Sequence, residues 1–141
     1  FYTGVSRESA KIIADQSDNI KTGSAIAMEA MHGMKREALE MKECLLKADF
    51  EGIVESMRQG WESKKKSAGT VSNQHIEEIY NAAIDAGALA GKVSGAGGGG
   101  YMMFFVPPER RMDVVRTLEH FKGRVSNCYF TKRGATAWRI L

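Results

Sequence analysis

The residues with most chemistry to offer lie between 92 and 106, Lys-Val-Ser-Gly-Ala-Gly-Gly-Gly-Gly-Tyr-Met-Met-Phe-Phe-Val. Gly95, Gly97, Gly98, Gly99 and Gly100 put five glycines in the first nine positions. Glycine loses more backbone freedom on folding than any other residue, so something should offset the ordering of this run. Without Cβ atoms, successive N–H groups can turn inward and make a concave anion site. Ser94, Gly95, Ala96, Gly97, Gly98, Gly99 and Gly100 therefore form a candidate phosphate-binding loop. A tight, close-packed turn with no ligand is the other reading, and the residues leave both open. The run also matches G-x-G-x-x-G, but that fingerprint needs a strand before it and a helix after it. Here the expected order is helix, glycines, strand. No Gly-Lys-Ser/Thr closes a Walker A loop. Lys92, directly before the glycines, could add a point charge or stand solvated at a strand edge. Lys64 and Lys65 are further candidates for a phosphate, although a lysine-rich last helical turn also suits the helix dipole. No nucleophile motif and no Cys or His cluster at metal spacing stands out, so neither a catalytic residue nor a metal ligand is assigned.

Several elements must hold this loop. Phe1 to Val5 reads as a strand already under way, and the opening on Phe1 rather than Met points to a piece of something longer. Ser6 is a candidate N-cap for a helix containing Ala10, Ile13 and Ala14, with a polar kink or loop over 15–19. Ala27, Met31, Met34, Ala38, Met41, Leu45 and Ala48 alternate spacings of four and three, the stripe of a long helix facing the core. Asp49 can cap a helix with Phe50, Ile53, Val54, Met57 and Trp61 inside. Ser72 can cap another with Ile76, Ile79, Tyr80 and Ala83 inside. Tyr101 to Val106, without polar alternation, is expected to be buried on both faces. Pro107 and Pro108 suit a helix start, with Met112, Val115 and Leu118 inside and Gly123 at its end. Residues 125–130 and 135–140 read as a hairpin of two strands turning at 131–134. The sum is α+β, a small, largely antiparallel sheet with helices packed on one face, approaching a ferredoxin-like arrangement.

Composition sets bounds. The chain has 141 residues, 43% hydrophobic and 26% charged, enough for one domain over 1–141 with a real core. A net charge of +3 suits small anionic ligands; a nucleic-acid binder would show a concentrated basic face. Two cysteines, Cys44 and Cys128, make no disulfide framework and fit a reducing cytoplasm. No apolar run reaches membrane-spanning length.

Ala86 to Tyr101 resembles the third motif of the GHMP kinases, the family of galactokinase, homoserine kinase and mevalonate kinase. Within the family the wording is nearest to the bacterial heptose 7-phosphate kinases, through Trp61-Glu62-Ser63-Lys64-Lys65, Val71-Ser72-Asn73 and Ile76-Glu77-Glu78-Ile79-Tyr80. The resemblance covers nearly the whole chain but only the C-terminal half of such an enzyme. It implies ATP and Mg2+ as cofactors, and phosphoryl transfer to a sugar hydroxyl, the anomeric hydroxyl of D-glycero-D-manno-heptose 7-phosphate. It also implies that a second phosphate loop, Pro-x-x-x-Gly-Leu-Gly-Ser-Ser, and the acidic residues near metal and acceptor come from an N-terminal half absent here. This half alone is then expected to be inactive, its glycine loop closing one side of a shared cleft. Another GHMP member, of galactokinase, fucokinase or mevalonate kinase type, and a non-catalytic ferredoxin-like ligand-binding or regulatory module are the alternatives.

Overall fold

A computed structural model describes residues 1–5, 8–129 and 131–139. Four helices come first: α1 (Ser9–Lys21), α2 (Ala25–Lys47), α3 (Phe50–Ser67) and α4 (Gln74–Asp85). An antiparallel pair follows, β1 (Ala90–Val93) and β2 (Met102–Phe105), then a 3-10 turn (Pro108–Arg110) running into α5 (Arg111–Leu118). The architecture is α+β, mostly helical, with α3 and α4 packed against β1. Local chemistry sets the boundaries. Ser24, Asp49 and Asn73 accept from the backbone N–H three residues on, at the starts of α2, α3 and α4.

Trp61, Ile76, Ile79, Val71, Val93, Met102, Val114 and Leu118 form one buried cluster with Ile12 of α1. Phe1 to Val5 joins the sheet through single bridges: Tyr2 pairs with Tyr101 on one side and Arg124 on the other, both antiparallel. The Thr3 N–H donates to the Gly100 carbonyl at 2.8 Å.

Several expectations need correction. Residues 15–19 lie within α1 and form no loop; Ser6 lies outside the described residues. In α2 Ala27 is buried as expected, but the other buried positions are Ala30, Gly33 and Glu37, each one residue before a position of the expected stripe, and Met31 and Leu45 are exposed. Phe50 is also exposed. Asn73, not Ser72, caps α4, and the Ser72 hydroxyl donates instead to Glu77. A strand, β1, precedes the glycines, so the order there is helix, strand, loop, strand. In β2 only Met102 is buried, and Tyr101 and Met103 face solvent. The last helix buries Val114 and Leu118 rather than Met112, and it ends at Leu118, before Gly123.

The hairpin expected over 125–130 and 135–140 is absent among the described residues; Phe130 and Ile140 lie outside them. Arg124 pairs with Tyr2 in an isolated bridge, and no pairing of 125–129 with 131–139 is found among the described residues.

Candidate phosphate-binding site

The glycine loop connects β1 to β2, and Ser94 N–H donates to the Tyr101 carbonyl at 2.7 Å across its neck. Its second half is docked onto the protein. Gly98 N–H donates to the Val71 carbonyl and Gly100 N–H to the Val5 carbonyl, each at 2.7 Å. Asn73 caps α4 with its side-chain oxygen and donates its amide to the Gly98 carbonyl at 3.2 Å, so one side chain ties helix start to loop. The first half is different. Among the described residues the amides of Gly95, Ala96 and Gly97 donate to no protein acceptor.

Glycine is required here for two separate reasons. Gly97 has φ +122°, and a Cβ on it would lie 2.6 Å from the Val71 carbonyl oxygen. Gly95 has φ +79° with nothing within 4 Å of such a Cβ, so conformation alone selects it. Gly97, Gly98 and Gly100 are thus packed against or bonded to their neighbours, while Gly95 is set by conformation alone.

Lys64, in the last turn of α3, donates from Nζ to the Gly95 carbonyl. Burial, and then the charge of Lys92 on β1, pull the Lys64 ammonium below the ordinary lysine pKa. Neither Lys64 nor Lys92 makes an ion pair among the described residues. Two ammonium groups near each other, one of them at amides that donate to no protein acceptor, make surroundings that suit an anion. Lys65 is spoken for. It pairs with Glu62 at 2.8 Å and Glu77 at 3.6 Å and lies within 6 Å of the Trp61 and Tyr80 ring centres. Burial lowers its pKa, but the bond to Glu62 and the charges of Glu62 and Glu77 outweigh that and raise it. The same acidic surroundings, with burial as the larger cause, push the Tyr80 phenol up.

Of the sequence candidates, the structure brings Lys64, Lys92 and Ser94 to Gly97 together and sets Lys65 apart as a strut between α3 and α4. Sequence reasoning missed the supporting contacts of Val5, Val71 and Asn73. Two are backbone carbonyls, which leave no mark on residue identity. Among the described residues no group of three or more His, Cys, Asp or Glu could hold a metal ion. No helix among them is long and apolar enough to cross a membrane.

Helices over a small antiparallel sheet, with a glycine loop between the two strands, agree with the comparison to known families. The chain belongs to the GHMP kinases: residues 41–122 match the model for the C-terminal part of that family. It is 41% identical over 140 residues to a D-glycero-alpha-D-manno-heptose 7-phosphate kinase of Campylobacter jejuni, covering 99% of this chain and 41% of that protein. A crystal structure of a Campylobacter jejuni protein matches with a TM-score of 0.63 at 40% identity, over 99% of this chain and 38% of the other. The mevalonate kinase of L. major, at 22% identity, shares the fold with a TM-score of 0.74, over 84% of this chain and 36% of that one. The chain thus spans about two fifths of the length of the heptose 7-phosphate kinase it matches.

Proposed function

We propose that this chain, residues 1–141, is the C-terminal domain of an ATP-dependent sugar kinase acting on a heptose 7-phosphate, with the anomeric hydroxyl as acceptor. The single observation that carries the reading is the pair Lys64 and Lys92, without carboxylate partners among the described residues, beside the unbonded amides of Gly95, Ala96 and Gly97. The resemblance of residues 86–101 to the third GHMP motif and the 41% identity to a heptose 7-phosphate kinase support the substrate class. Hydrogen bonds to a charged group are each worth about 1.5–3 kcal/mol, so two or three donors on a phosphoryl oxygen would matter to transfer.

In this reading Gly95 to Gly97 and Lys64 hold and orient a phosphoryl group, and Lys92 adds charge. ATP supplies that group when bound. The described residues offer neither an acceptor-activating base nor a metal cage, and we assign both tasks, with the second phosphate loop, to an N-terminal half of the enzyme. ATP and sugar phosphates as substrates suit the cytoplasm.

Sugar-dependent ATP turnover separates the possibilities. The 141-residue chain alone should give none with D-glycero-D-manno-heptose 7-phosphate, and a polypeptide carrying both halves should give it. Robust turnover by the chain alone would overturn the shared cleft, and no turnover with both halves would overturn the substrate.

A further inference from the structure

The glycine run has a second end. Gly98 and Gly99, with Thr3, Val5, His75 and Lys122, line a cavity of about 280 Å³ that takes in neither Lys64 nor Lys92. That volume lies just under the roughly 300 Å³ at which sites for whole small molecules begin, with room for a phosphoryl group and part of the molecule that carries it.

Its walls come together as only glycine allows. A Cβ on Gly4 would lie 2.5 Å from the Lys122 carbonyl oxygen, and one on Gly99 would lie 2.6 Å from that of Val5. The lining is largely apolar, and the charge it carries is of one sign: Lys122 lines it, and no Asp or Glu is among the described lining residues. Lys122 makes no ion pair among the described residues. The amide of Gly99, unlike those of Gly98 and Gly100 on either side, donates to no protein acceptor described. His75 Nε2 stands 3.0 Å from the Thr3 carbonyl, which can only accept. The ring therefore donates through Nε2, so His75 serves as a wall that holds Thr3 in place.

We infer that this cavity is a second phosphoryl-binding site, with Lys122 and the Gly99 amide as its donors. A kinase of a sugar phosphate handles two phosphoryl groups, one on the sugar and one in transfer, and the two ends of the loop would hold them apart. The site stands on residues that the function proposed above does not use, so either can fail without the other.

Inorganic phosphate titrated into the 15N-labelled chain tests it through the amide signals. The Gly99 signal should shift in a saturable way. Lys122→Met should weaken that shift about tenfold while leaving any shift at Gly95 to Gly97 unchanged, and Lys64→Met should do the reverse. Lys122 is exposed, so its replacement removes no core contact. Competition then identifies the source. Displacement by glucose 6-phosphate and not by ADP assigns the site to the sugar's phosphate, and the reverse assigns it to the nucleotide. A Gly99 signal that does not move, or an affinity that Lys122→Met leaves unchanged, would overturn the second site.

Discussion

Lys64 and Lys65 are neighbours in sequence, yet their surroundings move them in opposite directions. Burial and Lys92 lower the Lys64 pKa from its ordinary 10.5, so the unfolded chain holds that proton more tightly. Its contribution to stability therefore grows as pH rises from the lowered value toward 10.5. Lys65 is raised above 10.5, so its contribution is complete below 10.5 and is lost as pH climbs through the folded value. At neutral pH, Lys65→Met should cost about 1 kcal/mol, through ion pairs and cation–π contacts, while Lys64→Met should leave urea unfolding unchanged or stabilise. Equal destabilisation by the two would contradict these assignments. The glycines divide similarly. Gly97→Ala meets both a positive φ and the Val71 backbone and should cost about 2 kcal/mol or more. Gly95→Ala meets only the positive φ and should cost about 1 kcal/mol. Thermal unfolding of the two, ranked the other way, would refute the division of the loop. Sequence alone marks this stretch as special because glycine is legible by type. It does not say which amides are docked, since their acceptors are carbonyls at Val5 and Val71.

At the scale of the helices, α2 and α3 pack through small residues. Ala27, Ala30 and Gly33 are buried, together with Glu37, whose Oε1 accepts from Ser63 at 2.8 Å while Oε2 has no partner described. A Cβ on Gly33 would lie 2.7 Å from Ser63 Oγ. Gly33→Ala should therefore cost about 1–3 kcal/mol, despite alanine's better helix propensity. Stabilisation on chemical denaturation would show that the two helices separate freely. The same packing explains why the α2 stripe beyond Ala27 was misplaced by one residue. Ranking by hydrophobicity selects Met31, Met34 and Leu45, whereas close approach of two helices selects the smallest side chains. The caps at Asp49 and the inward positions of α4 were legible because they rest on local chemistry and a simple period.

Across the whole molecule, the sheet is smaller than the sequence pattern predicts. A strand-like stretch at 125–129 forms a strand only where a partner lies alongside, and the pairing described there is the single Tyr2–Arg124 bridge. β1 escaped notice because Ala90-Gly91-Lys92-Val93 has weak strand composition and its place depends on pairing with β2. The GHMP kinase fold was legible through the resemblance of residues 86–101 to that family's third motif, while the glycine spacing alone left an anion site and a packed turn both open. The central claim is that this domain brings Lys64 and the free amides of the loop to a phosphoryl group. Its most direct test is kcat/KM for D-glycero-D-manno-heptose 7-phosphate in the polypeptide carrying both halves, with Lys64→Met and Lys65→Met compared where both are folded. The account predicts a loss of about tenfold or more for Lys64→Met and under about threefold for Lys65→Met. An unchanged kcat/KM in Lys64→Met, or an equal loss in Lys65→Met, would contradict it.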